Sequence, residues 1–200
     1  AGATVCVATG TTTELNLADY SRANNLDIEP VTFEDKNVRN ETFYKGGCDA
    51  VTNDKSGLAS TKAEFPDPEN FMILPETISK EPLGPVVRQG DSNWNDIVMW
   101  SVFALVAAEE LGLNSGNVES VRSSTTNAEV KRMLGVEGNL HEGLGLSKDW
   151  AYDIVSQVGN YAEVYEAYMG GGERGIGITR AGSQNALWNQ GGLMYSPPFR

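Results

Sequence analysis

A chain of 200 residues, 40% hydrophobic and 21% charged, has material for one large domain or two small lobes and reads as a soluble globular protein. Its formal charge of -12 and pI near 4.5 argue against a nucleic-acid partner, which requires a basic face. One histidine, His141, and two cysteines, Cys6 and Cys48, fall short of a zinc ligand set, so neither metal nor cofactor is expected.

The β-branched run TVCVAT, 4–9, reads as a buried strand that stops at Gly10. Three threonines follow, and Thr11 to Glu14 matches the Ser/Thr-x-x-Glu pattern of a capped helix start. The helix then runs through ELNLADYSRANN with Leu15, Ala18 and Tyr20 inward. IEPVTFE, 28–34, is a second strand, which Pro30 assigns to a sheet edge. VRNETFYKG, 38–46, is a short helix ended by Gly46 and Gly47. CDAVTND, 48–54, is a third strand, KSGLASTKAE opens another helix, and FMILPE, 71–76, is a fourth strand. This β-α-β-α-β-α-β order predicts a parallel sheet with helices on both faces.

Residues 79–94 read as a linker, with a helix starting near Asp91 or Ser92. The apolar run at 97–108 is shorter than the roughly 20 residues of a membrane span and reads as a buried core helix. NAEVKRMLG and SKDWAYDIVSQVGNYAEVYEAYMG are helical, GGGERGIGITRAG, 170–182, is a flexible surface loop, and SPPFR is a tail. Trp94, Trp100, Trp150 and Trp188 are expected in the core, and His141 in an exposed loop. The fold class is therefore α/β: a doubly wound, mostly parallel sheet lobe plus a mainly helical C-terminal part. No signal peptide is visible, and the chain opens directly on a strand, as if an export signal or more had been removed.

In such sheets ligands sit beyond the carboxyl ends of the strands, near the switch point. The first and third strands are neighbours there. That puts Cys6 and Cys48 on adjacent strands and leaves a disulfide between them open in an oxidising compartment. It also puts Thr11, Thr12, Thr13 and Asp54 on one rim. A helix N-terminus has unpaired N–H groups and a partial positive charge, so it attracts anions, and threonine hydroxyls add donors. The same threonines also suit a plain N-cap, and Asp54 suits a cap of the next helix. Taken together, the rim is suited to a zwitterion: its carboxylate on Thr12 and neighbours, its ammonium on Asp54. An unpaired buried charge is costly, so such a site needs both halves. The glycine-rich loop follows a helix and lacks the Lys-Ser/Thr of a phosphate loop. No nucleophile elbow or triad is visible, so catalysis is not expected.

At GTTTELNLADY, GGCDAVTNDKSGL, ILPETISKEPLGPVVRQGD and NALWNQGGLMYSPPFR the sequence resembles the general L-amino-acid substrate-binding proteins of bacterial ABC transporters, a group within solute-binding protein family 3. The likeness runs along nearly the whole chain. It implies a type II-like periplasmic binding protein that closes on a free L-amino acid and delivers it to a transporter permease. It assigns the α-carboxylate to Thr12, with Thr11 and Thr13, and the α-ammonium to Asp54. Residues 1–85 would be the second lobe, 86–90 the hinge crossing, and 91–200 the C-terminal part of the first lobe with a helical extension. On this reading the chain corresponds to the C-terminal two-thirds of such a protein, and the N-terminal part of the first lobe, with its carboxylate-binding arginine, is absent. Two alternatives follow: a truncated fragment that acts by association with the missing segment or another copy, and a dehydratase-like enzyme using Glu76 or Glu81.

Overall fold

The strand Ala3–Ala8 (β1) lies at the centre of a three-stranded parallel sheet. The computed structural model describes residues 2–200, which divide into two units between Leu83 and Gly84. In the first unit β1 is followed by α1 (Thr12–Ala23), β2 (Ile28–Phe33), α2 (Lys36–Tyr44), β3 (Ala50–Val51) and α3 (Lys55–Glu64). The strand order is β2-β1-β3. The chain steps from β1 out to β2 and then back across to β3. Right-handed crossovers in opposite directions place α1 and α2 on opposite faces and make β1 the switch point. Val5 and Val7 pack with Leu17 of α1, while the alternating Cys6 faces the other side.

Register follows from a few bonds. Thr9 N donates to Phe33 O, so in both β1 and β2 the amides and carbonyls of odd-numbered residues point toward the partner strand. Pro30, an even-numbered residue, therefore turns its nitrogen to the outer edge, where β2 has no partner strand. On the other side of β1, Asp49 N donates to Thr4 O and Thr52 N to Cys6 O. Cys6 and Cys48 form a disulfide across this seam.

Three sequence expectations change in this unit. The strand read at 48–54 is reduced to Ala50–Val51, because the chain ahead of it bends to bring Cys48 to Cys6. Leu17, not Leu15 or Ala18, is the buried residue of α1; Leu15 is 67% exposed, and Ala18 borders a shallow concavity with Ile28 and Pro30. Residues 71–76 alternate in burial as a strand would, with Phe71 and Ile73 half-buried and Met72 and Leu74 exposed, but they form no strand. The edge strand β3 is itself only two residues long, and Pro75 offers no N–H. Phe71 instead packs on Phe43 and Phe65, at ring distances of 5.5 and 4.8 Å.

The second unit is helical: α4 (Ser92–Glu110), α5 (Val118–Ser124), α6 (Ala128–Met133), α7 (Trp150–Val158) and α8 (Tyr161–Tyr168). Asp91 accepts from Trp94 N and so caps α4, as the sequence suggests. Ala104, Ala107 and Ala108 of α4 pack with Leu113, Val130, Met133, Trp150 and Val155. The tail is part of this core: Phe199 is 2% exposed and meets the rings of Trp100 and Trp150. The helical segment of the sequence reading is broken at Gly159, whose φ of +85° leaves the helical region. Asn160 and Glu163 then build a reciprocal capping box that starts α8.

The glycine-rich stretch folds back onto α8: Gly177 N donates to Gly170 O and Ile178 N to Met169 O. A Cβ on Gly175 would stand 2.1 Å from Gly170 O, so the turn closes only with glycine there. Trp94 and Trp188 are 52% and 61% exposed rather than core, because Trp94 sits in the first turn of α4 and Trp188 in a 3-10 turn beside Glu110. His141 is half-buried. Among the described residues no helix is long and apolar enough to cross a membrane, and no group of three His, Cys, Asp or Glu side chains is placed to hold a metal.

Candidate functional site

Beyond β1, Gly10 adopts φ +69° and lets the chain turn sharply. Thr11 is the N-cap of α1: its hydroxyl donates to Ala8 O at 2.8 Å and accepts from Glu14 N at 3.3 Å. The expected reciprocal half of the cap is displaced by one residue. Glu14 Oε2 accepts from Gly10 N at 2.6 Å, not from the cap residue's own amide. Thr11 therefore serves the fold.

Thr12, exposed, and Thr13, half-buried, have hydroxyls and amides with no acceptor or donor partner among the described residues. They stand where the α1 N-terminus concentrates partial positive charge. The threonine cluster thus divides: one hydroxyl shapes the loop, and two remain open.

Asp54 occupies the N-cap position of α3, yet its side chain makes no capping bond. Its backbone carbonyl accepts from Leu58 N, as a cap residue's should, while the half-buried carboxylate has no hydrogen-bond partner among the described residues. The capping interpretation of Asp54 is therefore not realised. Cys6 is level with Val51 across the seam, and three residues beyond that pair on each strand stand Thr9 and Asp54. The open threonines and the free carboxylate thus leave neighbouring strands on the same edge of the sheet, at its switch point.

Two further groups at this seam had no signal in the sequence spacing. Asp49 Oδ2 accepts from Thr4 N and Thr4 Oγ1, each at 2.8 Å, and Asp49 N donates back to Thr4 Oγ1 at 3.0 Å. The Thr4 amide and then its hydroxyl hold the Asp49 carboxyl below its ordinary range. Glu14 was legible as a capping residue, but its bond to Gly10 was not.

The acidic residues considered for an enzyme are differently placed. Glu76 is exposed, and Glu81 Oε1 accepts from Asn16 Nδ2 of α1 at 3.2 Å. The helical unit has its own surface concavity of about 500 Å³, lined by Glu110, Glu129, Trp188, Tyr195, Pro197 and Pro198 among others. Both of its carboxylates are engaged: Glu110 by Trp188 Nε1 and Ser196 N, Glu129 by Phe199 N. These bonds fasten the C-terminal segment.

Comparison with known proteins gives a consistent result. The chain is 53% identical over 199 residues to the glutamate/glutamine/aspartate/asparagine-binding protein BztA of Rhodobacter capsulatus. It is 48% identical over 201 residues to the general L-amino acid-binding periplasmic protein AapJ of Rhizobium johnstonii, and 45% identical over 199 residues to the putative amino-acid ABC transporter-binding protein YhdW of Escherichia coli. Each alignment takes in 100% of this chain and 58% of the relative, so the chain spans a little over half the length of the curated relatives it matches. A solved ABC transporter periplasmic binding protein from Brucella ovis, with glutathione bound, superposes with a TM-score of 0.89 at 46% identity over 100% of this chain and 62% of that one. No protein-family model matches. Along its whole length the chain is similar to these amino-acid-binding proteins, and over that span it shares the fold of the solved periplasmic binding protein.

Proposed function

We propose that this chain acts in the substrate-binding component of an amino-acid ABC transporter, capturing free L-amino acids in the periplasm and presenting them to the permease. The observation that carries the reading is the state of Asp54: a half-buried carboxylate at a helix start, unclaimed by that helix, on the rim that also holds Thr12 and Thr13. A carboxylate so placed suits an α-ammonium, and the α1 N-terminus suits an α-carboxylate. Binding rather than turnover fits the relatives, which are named as binding proteins. The residue ranges of the sequence reading, 1–85 as one lobe, 86–90 as the crossing and 91–200 as part of the other, belong to the same proposal; the division of the fold between Leu83 and Gly84 supports it.

The homologues' names set the ligand panel: L-glutamate, L-glutamine, L-aspartate and L-asparagine, with glutathione, whose γ-glutamyl end bears the same free α-carboxylate and α-ammonium. Calorimetric titration of the encoded protein is expected to show saturable binding of at least one of these. Thr12→Ala and Asp54→Ala are each expected to remove it. Full affinity in both variants would overturn the site assignment, and no binding by the wild type would overturn the function.

A further inference from the structure

The two halves of the rim are carried by different strands, and what joins those strands is slight. β3 has only two residues and is bonded on one side, to β1; among the described residues no strand borders its outer edge. The last backbone bond of this ladder is Thr52 N to Cys6 O, so Asp54 projects two residues beyond the final ladder contact. The chain ahead of β3 compensates with three ties to β1. Cys48 is bonded covalently to Cys6, and both are buried, at 5% and 0% exposure. Directly after it, the Asp49 carboxylate takes two bonds from Thr4, and the Asp49 amide gives bonds to Thr4 Oγ1 and Thr4 O. The Thr4–Asp49 bonds lie at the end of β3 remote from the rim, and the disulfide runs from the chain just ahead of β3 to Cys6, which is level with Val51.

We infer that Cys6, Cys48, Thr4 and Asp49 are positioning residues for the binding site: the disulfide and the Thr4–Asp49 pair fix the offset of β3 along β1, and so set where the Asp54 carboxylate stands relative to Thr12 and Thr13. The inference rests on the reading of Thr12 and Asp54 as the two halves of an amino-acid clamp. Its physical basis is the geometry of a short parallel ladder. A two-residue pairing resists sliding weakly, and a displacement along the strand carries Asp54 with it, because Ala50 to Asp54 form one continuous segment. Fixing the upstream end removes that freedom without placing any of the four side chains against the ligand.

A role through Asp54 differs measurably from a general loss of stability. The offset governs the ammonium half of the clamp, so loosening it reduces the preference for an α-amino acid over its des-amino analogue. We would measure the affinity of the encoded protein for L-glutamate and for glutarate, well below each variant's melting temperature. The forms compared are the oxidised wild type, Cys6→Ala/Cys48→Ala, and Thr4→Val, which leaves the disulfide in place and keeps the side chain's shape. The preference for L-glutamate is expected to fall about tenfold in each altered form. In an Asp54→Asn background the same changes should have little further effect, because the group they position is gone.

If the wild type binds none of the amino acids in the panel, the functional reading fails, and this inference with it. If the wild type binds but both altered forms keep its preference, or lose affinity for both ligands equally, the positioning role alone is overturned. Should the double cysteine variant fail to fold, Thr4→Val decides the matter.

Discussion

Glu14 Oε2 accepts the amide of Gly10 at 2.6 Å, so the rim loop already contains one carboxylate of its own, bonded just ahead of the open amides of Thr12 and Thr13. This internal anion closes the loop from Gly10 to Glu14 and leaves the amides of Thr12 and Thr13 unpaired among the described residues. Glu14→Ala removes a charge-assisted bond and a first-turn acid, and is expected to cost about 1–2 kcal/mol, read as a lower urea midpoint. It should also weaken amino-acid binding several-fold, because the loop that presents Thr12 loses its brace.

Asp54→Asn is the mildest change to the proposed ammonium seat. The carboxylate bonds nothing within the described residues, so the melting temperature is expected to stay within a degree or two of wild type. Binding of L-glutamate, read by calorimetry, is expected to fall roughly 10- to 100-fold through loss of a charge-assisted hydrogen bond. A large drop in stability would show that Asp54 has a structural role instead.

Reduction of the disulfide opens a cross-link between residues 42 apart. Its stabilisation of the first unit is expected to be about 2–5 kcal/mol, measured as the difference in denaturant unfolding with and without a thiol reductant. The helical unit contains no cysteine, so a probe confined to it, such as the buried Trp150, should not shift on reduction.

Arg180 pairs with Glu109 at 2.7 Å, both side chains largely buried, while its guanidinium lies 4.9 Å from the ring centre of Tyr161. It also donates to Asn185 O, which fastens the stretch after the glycine-rich loop. Arg180→Met strands the Glu109 carboxylate and is expected to lower stability by about 3–5 kcal/mol. Adding Glu109→Leu should recover much of the loss, since the stranded charge is then gone. Thermal unfolding of the two variants side by side checks both statements.

Acid should weaken the fold through Asp49 and Glu163. The Thr4 bonds depress the Asp49 carboxyl; at Glu163 burial pushes upward, but bonds from Ser115 and from the Asn160 amide outweigh it and hold the group low. A carboxyl lowered in the folded state adds stability above its unfolded value, and this is lost as pH falls through the folded one. Urea midpoints should therefore decline as pH drops through and below the ordinary carboxylate range, less steeply in Asp49→Asn and Glu163→Gln. Burial raises Tyr161 and Tyr165, so their contribution is present at neutral pH and lost in strong alkali.

Much of the first unit was legible because its signals are local. A β-branched run, a glycine and a Thr-x-x-Glu box specify β1, the turn and α1 without tertiary information. Pro30 announced an edge for the same reason. The phase of α1 was not legible, because Leu17 is chosen by Val5 and Val7, a contact that propensity does not encode. Residues 71–76 carry a strand's alternation, yet a strand exists only if a partner ladder does, and β3 supplies two residues. In the second unit, one glycine with positive φ cut a long helical pattern in two. At the rim, the sequence put Thr11 to Thr13 in one group, and only geometry separates the hydroxyl that caps from the two left open.

The outward nitrogen of Pro30 has a consequence for how the sheet meets other chains. A sheet edge is a template on which a second chain can grow, and β2 is the longer of the two edges here. At its middle, where an incoming strand would need a donor, there is a proline ring. The longer margin is thus interrupted at its centre, where a strand pairing from outside would miss a bond. Pro30→Val would complete the row of donors, and with it the surface from which edge-to-edge aggregation starts.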